Sequence, residues 1–309
     1  MDYAKEYPTE KLPSLWFIEE TVRNNNLQTA KPKKRRKGGS EYLLFPAEAI
    51  RQLGLIQQSG DFIGKKYIDN CSSPINIFST SYYSPFKLYQ IKRILASKTP
   101  FVFPVLTNLW QKYPIPNVYR IDNGLQFRGS GSGKRSISPF LKFLLNLNII
   151  PLFGSPNKPW TNPHVEGHNR VFNDKVWSRN RFTDLNQIDY ECERFNQESL
   201  DLFNFKYQNC VQYIKQKRYL TKQSKIEFKK LKTRENKKIY FICFIENKDI
   251  GNNSFIIILN ETVIIPKQYD HQFVFVECDV EKDRLNIFSE YQKQIKQIHQ
   301  VKFKINLPN

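Results

Sequence analysis

The chain has 309 residues, of which 40% are hydrophobic and 25% charged; this is enough to bury a sizeable core without disulfides or a structural metal, and too apolar for a chain disordered throughout. Its 48 Lys+Arg against 29 Asp+Glu leave a net charge of +19, which makes a polyanion the default partner, because clustered cations release condensed counterions when they meet phosphate. No run approaches the roughly 18–20 apolar residues that cross a bilayer, and the first residues have no apolar core, so neither a membrane partner nor a secretory signal is expected.

Residues 13–23 carry helix-start chemistry, with Ser14 as a cap, acids in the first turns and Leu15, Ile18 and Val22 on one face. This is one helix, either docked on the next domain or the remnant of a helical module. The run KPKKRRK at 31–37 follows, six cations in seven residues, with Lys33, Lys34, Arg35 and Arg36 as candidate phosphate contacts. From about 50 to 204, strand and helix signals alternate. Strands are expected at 61–64 and 74–80, with a weaker one at 87–95, then a helix at 101–113 and a strand at 117–122. A helix at 137–148 has Ser138 as its cap and Pro139 in its first turn, and a buried strand covers 149–153. A Pro-punctuated loop at 155–163 leads into helices over about 164–179 and 184–203. Strands first, then strands alternating with helices, imply an α/β fold: a mixed sheet with helices on both faces.

Residues 206–238 hold twelve Lys/Arg against only Glu227 and Glu235, the composition of a solvated connector that also grips a phosphate backbone. Beyond it, short apolar strands at 239–246, 254–266, 272–278, 284–289 and 301–305 read as a small antiparallel barrel or sandwich of about 70 residues. The expected domains are therefore 1–50, an N-terminal helix and basic linker; 51–205, a core; 206–238, a second basic linker; and 239–309, a small β-barrel-like domain. The five cysteines (Cys71, Cys192, Cys210, Cys243, Cys278) are odd in number and scattered, without a CxxC pair. They read as small buried apolar residues in a reducing, cytoplasmic setting, nucleoid-associated in a bacterium.

Three carboxylates stand out. Asp122 ends a strand and precedes Asn123-Gly124; open α/β sheets hold ligands at such strand ends, although the same residues make an ordinary Asx turn. Glu166 lies in the first turn of a helix behind the Pro-rich loop, where an acid also suits the helix dipole. Gly167, a poor helix former, would let a ligand backbone come close. Asp61 lies at the start of a strand or inside one, which disfavours Asp unless a partner satisfies its charge; it reads equally as a strand-edge acid, and Asp69 competes for the role from a loop. If the three meet at one corner of the sheet, a hard divalent cation relieves their repulsion. Two such ions about 4 Å apart activate the attacking oxygen and stabilise the leaving one in phosphodiester chemistry.

The ordered motifs are Gln58-x-x-Asp61-Phe62-Ile63-Gly64, then Ile121-Asp122-Asn123-Gly124-x-x-Phe127, then Ser155-Pro156-x-x-Pro159-x-x-Asn162-x-x-Val165-Glu166-x-x-Asn169. With them, over about residues 55–205, the chain resembles the integrase catalytic core of insertion-sequence transposases and retroelement integrases. The resemblance implies a ribonuclease-H-like fold with Asp61, Asp122 and Glu166 as catalytic residues that ligate two Mg²⁺ or Mn²⁺ ions. It also implies a helix-turn-helix before the core, of which residues 1–50 would hold only part, and a small all-β C-terminal domain. The expected activity is DNA transposition or integration, in which water cuts the element's end and the freed 3′-hydroxyl attacks target DNA. Arg170 and Lys175, on the helix bearing Glu166, would contact phosphate. Double-stranded DNA would be the partner and the assembly a homo-oligomer. A catalytically inactive DNA-binding descendant, or a hydrolytic nuclease of the same fold, is the alternative.

Overall fold

Strand β1 (Gln57–Lys66) pairs antiparallel with β2 (Ile75–Ser84), which pairs in turn with β3 (Leu88–Ile94). On the other side of β1, β4 (Val118–Ile121) and then β5 (Ile150–Phe153) run parallel to it. The computed structural model describes residues 20–21, 45–68, 73–129, 133–156, 158, 161–215, 217–224, 227–247 and 254–307. Two units are distinguished, Met1–Tyr42 and Leu43–Asn309. Of the first, only Glu20 and Thr21 are described, and both are helical; the rest of the expected helix at 13–23 lies outside the described residues. The second unit is a mixed α/β structure with one large sheet and flanking helices.

Helices cover both faces of β1–β5, so residues of these strands are buried on both sides of the sheet, apolar ones such as Ile77 and Phe78 as well as polar ones such as Gln58 and Thr80. Neighbouring strand residues point to opposite faces, and Ile77 and Phe78 divide accordingly. Phe78 joins a core beneath α2 (Thr99–Lys112) and α4 (Pro139–Asn146), filled by Phe103, Trp110, Phe140 and Phe143. Ile77 joins a second core beneath α5 (Pro163–Lys175) and α6 (Leu185–Gln212), with Phe172, Ile188 and Phe195. The short helices α1 (Ala47–Gln52) and α3 (Leu125–Arg128) complete this half. Ser138 caps α4 as expected, its Oγ accepting from the Leu141 amide at 3.1 Å, and Asp184 caps α6 through the amides of Asn186 and Gln187.

A buried polar network ties the sheet to α2. Trp110 Nε1 donates to Gln58 Oε1 at 2.8 Å, and Gln58 Nε2 donates to Thr80 Oγ1 at 2.8 Å. Thr80 Oγ1 spends its single proton on the Ser59 carbonyl, so the Tyr119 hydroxyl 3.0 Å away must be a donor to it. Tyr119 also accounts for Gly60, where a Cβ would lie 2.0 Å from the Tyr119 hydroxyl oxygen.

The free edge of β3 is closed by side chains of α6. Asn196 Oδ1 accepts from the Ile91 amide at 2.7 Å, and its Nδ2 donates to the Ile91 carbonyl at 2.8 Å, so one amide replaces a neighbouring strand's peptide. Ser199 does the same for the Tyr89 amide, and Arg93 pairs with Asp189. An edge so occupied offers no template to another chain.

Beyond residue 238 the structure differs from the expectation of a separate barrel-like domain at 239–309. Strand β6 (Lys238–Phe244) pairs parallel with β5, Leu152 opposite Tyr240 and Phe153 opposite Phe241. Strands β10 (Phe273–Asp279), β11 (Arg284–Tyr291) and β12 (Gln294–Lys302) extend the same sheet antiparallel. The nine strands run in the order β12-β11-β10-β6-β5-β4-β1-β2-β3. The physical reason lies in β6, whose run Ile239-Tyr240-Phe241-Ile242-Cys243 is buried on both faces, as befits a central strand. Strands β7 (Glu246–Asn247), β8 (Ser254–Ile258) and β9 (Glu261–Ile265) make a separate three-stranded sheet.

The expected single strand at 254–266 is a hairpin, because Leu259 and Asn260 take φ of 45° and 64° and reverse the chain. The last strand also differs: Gln294–Lys302 replaces the expected 301–305, whose Phe303 and Ile305 are buried outside the ladder. Cys192, Cys243 and Cys278 are buried, and burial pushes each thiol up to about 12. Among the described residues, no helix is long and apolar enough to cross a membrane.

Candidate active site

The parallel register of β1 on β4 ends with Gly60 opposite Ile121. One residue further, the ladder brings Asp61 level with Asp122, on the same face of the sheet because both lie two residues beyond the paired Ser59 and Arg120. Asp122 Oδ1 accepts from the Gly124 amide at 3.0 Å, the Asx turn expected from Asp-Asn-Gly. Asp61 Oδ1 accepts from the Phe62 amide at 2.7 Å.

The far wall comes from the segment after β5. Gly154 donates its amide to the Ile121 carbonyl at 3.0 Å, and its own carbonyl receives Asn123 Nδ2. Thr161 Oγ1 then closes the loop, accepting from the Ser155 amide at 2.9 Å and donating to the Lys158 carbonyl at 2.7 Å. A Cβ at Gly154 would lie 2.9 Å from that Oγ1, so glycine lets the loop fold flush beside Asp122.

Helix α5 buries the stripe Val165, His168 and Phe172 against the sheet. His168 Nδ1 and Ser79 Oγ are hydrogen-bonded at 2.9 Å, and Ser79 is the β2 residue opposite Asp61. The ring also stacks on Tyr89 with centroids 4.2 Å apart. Burial pushes the His168 imidazole down to about 3, so it is a neutral anchor that sets the helix against the strand position bearing Asp61. Two residues earlier, Glu166 faces the same opening. Gly167 borders open space, where an added Cβ would meet nothing within 4 Å.

Asp61, Asp122 and Glu166 therefore line one cavity of about 390 Å³. Burial raises the Asp61 carboxyl to about 8, with the neighbouring Asp122 charge adding to it, the Phe62 amide opposing it and the Glu166 charge contributing less. Burial also raises Asp122, against the Gly124 amide. Two neighbouring half-buried carboxyls that burial makes costly to ionise, with oxygen donors only, fit a hard divalent cation. Among the described residues, no three His, Cys, Asp or Glu side chains stand close enough together to hold one ion. Asp61 and Asp122 fit as the ligand pair, with Glu166 across the opening.

The opposite charge is supplied by residues that sequence reasoning did not select for the site. Arg128 and Lys158 line the same cavity, and Arg128 Nε is buried without a hydrogen-bond partner among the described residues. Asn162, only 4% exposed, has no partner for either amide atom among the described residues at the cavity wall. Arg120, 3% exposed on the same strand face as Asp122, lies beside Tyr83, and burial holds its guanidinium below the ordinary value. Nearby, His164 stacks on Tyr83 at 4.0 Å, and burial with the charges of Arg120 and Lys87 pushes it down to about 4. Lys158 and Asn162 stand in the Pro-rich loop, which was the available signal.

Arg170 and Lys175 are exposed on α5 outside the cavity, and Arg170 lies 3.7 Å from Asp174. Lys33, Lys34, Arg35, Arg36 and the rival Asp69 lie outside the described residues.

No family model matches the sequence, and no curated protein matches it either. Among solved structures, the chain is similar to a chain of the cryo-EM structure of a simian T-cell lymphotropic virus intasome in complex with PP2A regulatory subunit B56 gamma. The identity is 13% and the TM-score 0.40, over 87% of this chain and 98% of that one. The likeness is distant.

Proposed function

We propose that the chain is a metal-dependent DNA transposase or integrase, a polynucleotidyl transferase whose reaction centre is the cavity of Asp61, Asp122 and Glu166. The observation that carries this reading is the placement of Asp61, midway along β1, beside Asp122 at the carboxyl end of the parallel β4, where burial raises both carboxyls and the Asp122 charge adds to the rise of Asp61. The mixed sheet of β1 to β5, with helices on both faces, supports a ribonuclease-H-like core, and the three ordered motifs support the family. The partner is double-stranded DNA, acted on by a multimer of the chain.

Asp61 and Asp122 would hold Mg²⁺ or Mn²⁺, with Glu166 completing the set from the first turn of α5. When bound, two such ions supply activation of the attacking oxygen and stabilisation of the leaving one. The chain's own residues do the rest. Arg128 and Lys158 place positive charge where a phosphodiester enters, and the Asn162 amide offers a donor and an acceptor to it. The Thr161-closed loop and the His168–Ser79 bond keep these walls in place before DNA arrives. In the first reaction, water forms a bond to phosphorus as the bond to the 3′-oxygen breaks, leaving a 3′-hydroxyl. In the second, that hydroxyl displaces a 3′-oxygen of the target strand.

The test uses the inverted repeats flanking the gene as duplex oligonucleotides with Mg²⁺, together with a plasmid target. Joined products that vanish in Asp122→Asn support the reading. Cleavage without joining would make the chain a nuclease, and inactivity of the wild type a DNA-binding descendant.

A further inference from the structure

The basic segment that follows α6 is not a free connector. It crosses the outer surface of α2 and α4 as a strap, on the face of the sheet away from α5. Leu220 donates its amide to the Trp110 carbonyl at 2.9 Å, and the Arg218 carbonyl accepts from the Ile115 amide at 2.7 Å, at the end of α2. Phe228 then packs on Phe103 near the start of α2, with centroids 4.7 Å apart. Asn146 of α4 donates to the carbonyls of Glu227 and Lys230 and accepts from the Lys232 amide, and Lys142 donates to the Lys229 carbonyl. The Arg218 guanidinium reaches the Leu147 and Asn148 carbonyls, the negative end of α4.

The strap thus turns its peptide groups and apolar side chains inward and its ammonium groups outward. Lys222, Lys229, Lys230 and Lys232 are exposed, and none of their side chains pairs with a carboxylate among the described residues. Glu227, the acid in their midst, is engaged by the Lys229 and Lys230 amides. Residues 213–238 hold eleven Lys/Arg against two Glu, and neither α2 nor α4 contains an acid. On the opposite face the balance reverses: α6 carries Asp189, Glu191, Glu193, Glu198 and Asp201 against Arg194 and Lys206. The sheet therefore separates a cationic layer from an acidic one.

We infer that the strap over α2 and α4 is a second docking surface, which grips the phosphate backbone of a nucleic-acid duplex on the side of the sheet opposite α5. Backbone contacts of this kind need rigidly spaced, unpaired cations and no base readout, and the strap's inward hydrogen bonds supply the rigidity. The inference does not depend on catalysis at the carboxylate cavity.

The experiment measures binding of the full chain to a fluorescein-labelled duplex of arbitrary sequence over a range of salt concentrations. Lys229→Gln/Lys230→Gln/Lys232→Gln is compared with Lys282→Gln/Lys293→Gln/Lys296→Gln, which removes equal charge from the strands beyond β10. Loss of three phosphate contacts lowers the slope of log K against log salt by about 2.7, with affinity at low salt down at least about tenfold. That result in the strap variant alone, at unchanged Tm, supports the proposal. An unchanged slope, or equal losses in both variants, overturns it. So does lost binding to phosphatidylserine vesicles with duplex binding intact, because the surface would then serve a membrane. Duplex binding is read without Mg²⁺ and needs no turnover, so a wild type inactive in the joining assay leaves this outcome standing, which separates the two tests.

Discussion

Asp61 and Asp122 stand side by side, one residue past the last pair of the parallel β1–β4 ladder, with their carboxylates facing one cavity. The backbone ladder sets this neighbourhood, so the repulsion between them is built into the fold. Asp61→Asn or Asp122→Asn removes it, and each variant should be more stable than the wild type by about 1 kcal/mol without divalent ions. Mg²⁺ should raise the Tm of the wild type and leave that of either variant nearly unchanged. Denaturation scans with and without Mg²⁺ decide this; equal Mg²⁺ shifts in all three proteins would remove the pair as ligands.

Gly60 faces the Tyr119 hydroxyl, which is held by Thr80. Gly60→Ala should cost about 2 kcal/mol, because a Cβ 2.0 Å from that oxygen must displace it. Adding Tyr119→Phe removes the closest atom, so the double variant should recover part of the loss. Urea unfolding of the four proteins in the cycle gives the coupling, and strict additivity would contradict the packing described.

Asn196 stands in for a strand along the edge of β3. Asn196→Ala should destabilise the chain by about 2 kcal/mol through two unpaired peptide groups. It should also promote self-association, since the uncovered edge becomes a template. Urea midpoints and sedimentation of the variant against the wild type report both.

Glu277 lies on β10 among Lys238, Tyr240 and Asn286, each bonded to its carboxylate within 2.8 Å. Burial alone would raise the carboxyl, but these three donors outweigh it and hold it below the ordinary Glu value. The folded state therefore binds this proton less readily than the unfolded chain does. The stabilisation is present above about pH 4.3, the unfolded value, and is lost as pH falls through the lower folded value. Glu277→Gln should flatten the acid limb of a stability–pH profile, and an unaltered limb would show that the triad of donors contributes nothing.

Much of the first half was legible because its signals were local. Ser138-Pro139 announces α4, apolar runs bounded by Pro and Gly announce β2 and β5, and Asp-Asn-Gly announces the turn below Asp122. What escaped was set by partners distant in sequence. The run at 239–243 reads the same in a barrel as in a central strand, and only its pairing with Leu152 and Phe153 distinguishes them. Gln294–Lys302 is too polar to signal a strand, yet as the outermost one it needs to bury little. The hairpin at Leu259-Asn260 lacks the usual glycine. At the site, Asp61, Asp122 and Glu166 were selected as acids in unusual places. Arg128, an ordinary cation in a turn, gave no sign that its Nε would end up buried and unpartnered among the described residues.

Only two residue pairs join β6 to β5, with Phe153 stacked on Phe241 at 5.1 Å, yet through them the sheet continues without interruption. Phe153 is followed directly by Gly154 in the cavity wall. The strands β6, β10, β11 and β12 therefore share one hydrogen-bonded frame with the wall that carries Asp122.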